Sequence, residues 1–144
     1  MGRVVVHFDC KPKDHSISSI VKDYQARLRP RGISLQTHES SRGSEGYESE
    51  ISSLSGNLVI LDESGESMSS IELASWLESA QLSSETTHIA LGPFEGFSES
   101  IKKSAISKIS LSRLTLTHEF SAALLMEQLY RATEINRGTT YHKG

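Results

Sequence analysis

Apolar positions along the chain change period several times, and each change marks an element. Residues 3–9, RVVVHFD, are a short β-branched run that predicts a buried strand. Ile17, Ile20, Val21, Tyr24 and Leu28 then recur at helical spacing, and Pro30 with Gly32 stops that helix. ISLQT (33–37) alternates as a strand does, and NLVILD (57–62) is apolar on both faces and closed by an acid. Ser69 followed by Glu72 is a capping box opening a helix through Ile71, Ala74, Leu77 and Ala80. HIALG (88–92) predicts a fourth strand, SESIKKSAIS (98–107) a short helix and KISLS (108–112) a fifth strand. The last helix is expected from His118 to Ile135, with Gly138 as its stop signal.

Strands alternating with helices, and strands too apolar to expose a face, predict a parallel sheet covered on both sides, an α/β/α arrangement. At 144 residues the chain is expected to be a single domain, 1–144, with one real core. There is no internal repeat. HESSRGSEGYESEISSLSG (38–56) is serine- and glutamate-rich, with Tyr47, Ile51 and Leu54 enough for one or two helical turns at most. It reads as a mobile insert. In the last helix Leu125, Leu129, Ala132 and Ile135 form one stripe, while Leu124 and Met126 point elsewhere. A helix apolar beyond one face needs a second partner besides the sheet.

Composition narrows the class. The single Cys10 excludes an intrachain disulfide and a multi-cysteine zinc site, as in a reducing compartment. No apolar run reaches membrane-spanning length, and MGRVVVHFD is charged too early for a signal peptide, so a cytoplasmic protein without membrane attachment is expected. The formal charge of -3 divides into +4 over residues 1–37, -11 over 38–100 and +4 over 101–144. That is a basic start and end around an acidic middle, unlike a protein that grips nucleic acid by charge alone.

Ligands of a parallel sheet bind at the carboxyl ends of its strands. LDESG, LGPFEGF and SRLTLTH are the loops that leave those ends late in the chain. GPFEG lacks the GK[ST] of a phosphate loop and does not fit GxGxxG. Ser100 to Lys103 contains S-x-x-K at Ser100 and Lys103, a chance match on a short amphipathic helix. The six histidines show no ligand spacing, so no metal is expected. Asp9 and Asp62 close strands as in a phosphoacceptor receiver domain, but no second acid adjoins Asp9 and no Lys closes the fifth strand.

VILDESG, LGPFEGF, SLSRLTLTH, EQLYRA and the closing YHK occur in an order and spacing that resemble the ribosomal large-subunit pseudouridine N3-methyltransferases of the SPOUT, or trefoil-knot, superfamily. The likeness is dense over residues 57–143 and looser over the first strand and helix. It implies a homodimer using S-adenosyl-L-methionine to methylate a pseudouridine of 23S rRNA on the assembled ribosome, with the last helix threaded through a knot. Family positions for the cofactor fall on Leu61, Gly92, Pro93 and the run Ser112, Arg113, Leu114, Thr115, Leu116 and Thr117. Those near the RNA fall on Glu127, Arg131, Tyr141, His142 and Lys143. Arg131 and Lys143 would meet phosphate or ring oxygens, Tyr141 would stack on a base and His142 would handle a proton.

Glu127 and Arg131 fit equally an i,i+4 brace on the helix. The chain departs from the family in three places. Pro93 stands where a second glycine is usual and offers no N–H. Small residues around Ala122 replace a frequent arginine, and the 38–56 segment is shorter and more acidic than the usual arm. A SPOUT methyltransferase with another RNA target, and a knotted ribosome-binding protein without activity, remain as alternatives.

Overall fold

The computed structural model of the chain describes residues 2–143; Met1 and Gly144 lie outside it. Strands and helices alternate along it as β1 (Val4–Phe8), α1 (His15–Leu28), β2 (Ile33–Thr37), α2 (Gly43–Ser52) and β3 (Asn57–Ser67). Then come α3 (Ser70–Leu82), β4 (Thr87–Ala90), α4 (Glu99–Ser104), β5 (Ser107–Ser110) and α5 (His118–Arg137). Local chemistry sets the helix starts. Asp14 caps α1, and Ser69 with Glu72 forms the expected capping box at α3. Gly138, in the left-handed region at φ 75°, closes α5.

All five strands are parallel, in the order β2-β1-β4-β3-β5. A parallel sheet buries both faces, and the alternation of side chains sorts the core into two layers. Val4, Val6, Phe8 and Ile89 pack with Leu77, Leu125 and Leu129 under α1, α3 and α5. Ile60 and Ala90 face the other way, against Tyr47 and Ile51 of α2 and Phe97 and Ile101 at α4. The architecture is therefore three layers, α/β/α. With β4 between β1 and β3, the strand order also departs from the 2-1-3-4-5 of receiver-like folds.

Three expectations are corrected by packing. The 38–56 segment is no mobile insert, because α2 takes up ten of its residues and Tyr47 and Ile51 are 0% and 1% exposed. The Tyr47 hydroxyl donates to the carbonyls of Leu91 (2.6 Å) and His7 (3.0 Å), riveting α2 to β1 and to the end of β4. Next, β3 does not end at Asp62. It resumes beside β5, with Ile109 opposite both Leu61 and Glu66, so residues 62–65 form an excursion out of the ladder. Gly65 lets that excursion return, since a Cβ there would lie 2.7 Å from the Ile109 nitrogen. Finally, Met126 is 1% exposed in the core, and α5 lies between α1 and α3. Much of its apolar surface, Met126 included, is taken up within the chain, while Phe120 stays exposed.

Three histidines form a buried row rather than a metal site. His38 Nε2 meets His7 Nδ1 at 2.8 Å, His7 Nε2 meets His88 Nδ1 at 2.8 Å, and His88 Nε2 donates to the Ser55 carbonyl at 2.9 Å. A carbonyl only accepts, so each Nε2–H donates in the same direction along the row. Burial and the two neighbouring rings push His7 down to about 3, so it stays neutral and joins strands. No group of three or more metal-binding side chains is poised to hold an ion among the described residues.

Candidate active site

The carboxyl ends of β3, β4 and β5 open into a cavity of about 420 Å³, the size of a small-molecule site. Leu61, Asp62 and Ser64 enter it from the β3 excursion, and Leu91, Gly92, Pro93 and Phe97 from the segment after β4. Ser112, Leu114 and Leu116 come from the loop after β5, with His118 and Ser121 from the first turn of α5. Six of the nine expected cofactor residues therefore line one cavity. Arg113, Thr115 and Thr117 do not.

The loop before α5 is Ser- and Thr-rich because its side chains satisfy backbone groups that no ladder or helix serves. The Ser110 hydroxyl donates to the Ser112 carbonyl at 2.9 Å, and Ser112 Oγ accepts from the Leu114 N–H at 3.0 Å. Thr117 is the N-cap of α5, its Oγ1 accepting from the Phe120 N–H at 3.2 Å. The outcome is an irregular loop, residues 111–117, that runs straight into the cap of α5.

Two charged pairs mark the site, and the sequence pattern singled out neither. At the first, Lys102 Nζ of α4 lies 3.5 Å from Asp62 Oδ1, and both residues line the cavity. Burial opposes the charge on Asp62, yet the Ser64 hydroxyl and N–H together with Lys102 hold its carboxyl below the usual range. At the second, His118 Nε2 lies 2.9 Å from Asp9 Oδ1 at the end of β1. Both atoms are buried and not aligned as donor and acceptor, so the contact is a close charge pair with no further partner among the described residues. Asp9 raises His118 above its ordinary value, against the opposing effect of burial, with the Gly92 carbonyl adding to the rise.

Four of the five residues expected near RNA assemble elsewhere. Tyr141 donates to Glu127 Oε2 at 3.0 Å, lies 3.1 Å from the Tyr24 hydroxyl, and sits edge-on to Tyr130. Burial is the first cause raising the Tyr141 hydroxyl above the usual tyrosine range, with Tyr24 and Glu127 adding to it. Arg131 spends its donors on Glu127, at 3.1 and 3.2 Å, and on the His142 carbonyl at 3.1 Å. Its Nη1 also meets His142 Nδ1 at 3.3 Å; arginine only donates, so that nitrogen accepts and Nε2 carries the proton. Tyr141 is thus packed, Arg131 organises the tail, and His142 and Lys143 are exposed.

This cluster is not beside the cavity of its own chain. His118 is at the cavity, Glu127 is roughly 13 Å further along α5 and Arg131 roughly 20 Å, at 1.5 Å per residue. The two expected groups occupy different stretches of one helix.

A doubly covered parallel sheet with three loops around a cavity at its carboxyl edge defines an α/β protein with a cavity where such sheets bind ligands. Residues 3–142 match the family model described as "Predicted SPOUT methyltransferase", and the chain belongs to that family. Similar proteins include a "Ribosomal RNA large subunit methyltransferase H" of Kosmotoga olearia, 46% identical over 88 residues that cover 60% of this chain and 56% of that protein. One of Maridesulfovibrio salexigens with the same name is 44% identical, with 59% and 55% covered. Over these first relatives the match spans little more than half of their length. A third of that name, from Coprothermobacter proteolyticus, is 34% identical over 92% of this chain and 94% of its own length.

Proposed function

We propose that this chain is an S-adenosylmethionine-dependent methyltransferase acting on N3 of a pseudouridine in 23S rRNA of the assembled ribosome. The observation that carries the reading is the cavity itself, where six expected cofactor residues from three separate loops converge. The names of the three relatives above, each a ribosomal RNA large subunit methyltransferase, supply the substrate class.

The residues present suit such a cofactor. Leu61, Leu114 and Leu116 offer apolar walls, and the loop around them exposes backbone donors and acceptors able to read a base edge. When bound, S-adenosylmethionine supplies a methyl group already activated as a sulfonium, so the protein's part is chiefly positioning. The acceptor is an imide nitrogen that must lose its proton, which would pass to solvent water as the ring ionises. With Nε2 protonated, His142 would act as a donor to the deprotonated ring, and Lys143 would add positive charge beside it. Since tail and cavity lie apart along α5, the complete site would be shared by two chains, the tail of one over the cavity of the other. This is the role we assign to the homodimer.

The test is transfer of labelled methyl from S-adenosylmethionine to purified ribosomes lacking the modification. Incorporation into 23S rRNA at a pseudouridine, and none into ribosomes carrying uridine there, is the expected result. Incorporation at another nucleotide would favour a different RNA target, and no incorporation would favour a binding protein without activity.

A further inference from the structure

The cavity holds a charged pair whose spacing and surroundings fit one end of a cofactor better than they fit a structural ion pair. Lys102 Nζ and Asp62 Oδ1 are 3.5 Å apart, too far for a charge-assisted hydrogen bond, which closes to about 2.7–2.9 Å. Both side chains are largely withdrawn from solvent, at 25% and 15% exposure. Asp62 Oδ2 is already engaged by the Ser64 N–H at 3.2 Å and by the Ser64 hydroxyl, which fixes the carboxylate and leaves Oδ1 towards Lys102. The other partner of Lys102 is Glu99, 3.8 Å away and 82% exposed, which offers a solvated contact of little strength. The other basic side chain lining the cavity, His118, is taken by Asp9.

We propose that Asp62 and Lys102 form a specificity site for a zwitterionic amino-acid group, the methionine end of the cofactor. The inference rests on the cofactor reading given above and extends it. An α-amino acid carries its ammonium and carboxylate on one carbon. Set antiparallel to the Asp62–Lys102 pair, it places ammonium on carboxylate and carboxylate on ammonium, satisfying four charges that are otherwise only loosely paired. The walls formed by Leu61, Leu114 and Leu116 remain for the uncharged end of the ligand. The pair therefore selects ligands that keep the amino-acid end over those that lack it.

Calorimetry on the full-length protein with two probes tests this: S-adenosylhomocysteine, which has the amino-acid end, and 5′-methylthioadenosine, which does not. The wild type should bind the first more tightly. Lys102→Met should weaken S-adenosylhomocysteine by about 10- to 100-fold, the worth of a charged hydrogen bond, and leave 5′-methylthioadenosine unchanged. Retained binding of the second probe reports an intact pocket, and Lys102→Arg should restore much of the loss. Equal weakening of both probes, or no weakening of either, would overturn the zwitterion site while leaving the cofactor reading in place. Failure of the wild type to bind either probe would overturn both.

Discussion

His118 joins three parts of the site: it opens α5, lines the cavity and pairs with Asp9 at the end of β1. Its raised value has a consequence with a definite sign. The folded chain holds the proton more tightly than the unfolded chain, so the stabilisation is full below about pH 6.5 and is lost as pH rises through the raised value. Asp9→Asn removes the negative partner of a mostly buried imidazolium. It should cost about 1–3 kcal/mol at pH 5.5 and little at pH 9, as read from urea unfolding at the two values. An equal loss at both would mean that Asp9 acts through packing. The sequence placed Asp9 at a strand end and His118 at a helix start, but not their contact. Residues 109 positions apart leave no periodicity for a reader to find.

Helix α2 shows how an element can be legible and still misjudged. Tyr47, Ile51 and Leu54 stand at i, i+4 and i+7, a true helical stripe, yet the serines and glutamates around them suggest loose chain. One fully buried aromatic with two hydrogen bonds outweighs that composition. Tyr47→Phe removes the only side-chain donor to the Leu91 carbonyl recorded among the described residues, next to the cavity residue Gly92. It should lower stability by about 1–3 kcal/mol and weaken S-adenosylhomocysteine binding through the loosened loop. Thermal unfolding and calorimetry on the same samples check both effects. The apolar strands and the capping box were readable because each is a local pattern. The β3 excursion was not, since its register is set by β5, more than forty residues later.

The tail separates packing from chemistry in the same way. Tyr141→Ala should cost about 1–2 kcal/mol, because it empties an aromatic contact and removes one of the hydrogen bonds to Glu127. Deleting 142–144, of which Gly144 lies outside the described residues, should leave the melting temperature nearly unchanged, because His142 and Lys143 are exposed. The deletion should lower methyl transfer at least ~100-fold, the usual loss when proton handling is removed. Full-rate transfer by the truncated chain would relegate the tail to a frayed end.

At the scale of the molecule, the two groups of candidate residues and their spacing along the last helix were both visible in the sequence, but the distance between tail and cavity in the folded chain was not. Spacing along a chain says nothing about which copy completes a site. The surface offers a route to pairing: Phe94 and Leu114 at the cavity, and Phe120 at the start of α5, are 85%, 74% and 61% exposed. Isolated side chains of this kind are ordinary on a surface; Phe94 and Leu114 at the cavity, with Phe120 in the first turn of α5, suit an interface. Light scattering at micromolar concentration should report twice the 15.9 kDa of one chain, and Phe120→Glu should shift the mass towards one chain. A single-chain mass for the wild type would remove the partner from the account.

Methylation of a ribosomal pseudouridine by this chain can be read from mass-spectrometric mapping of 23S rRNA from cells with and without the protein. Loss of one N3-methylpseudouridine on deletion, restored by the wild-type chain and not by the 142–144 deletion, is the predicted result. An identical set of modifications in both strains would contradict it.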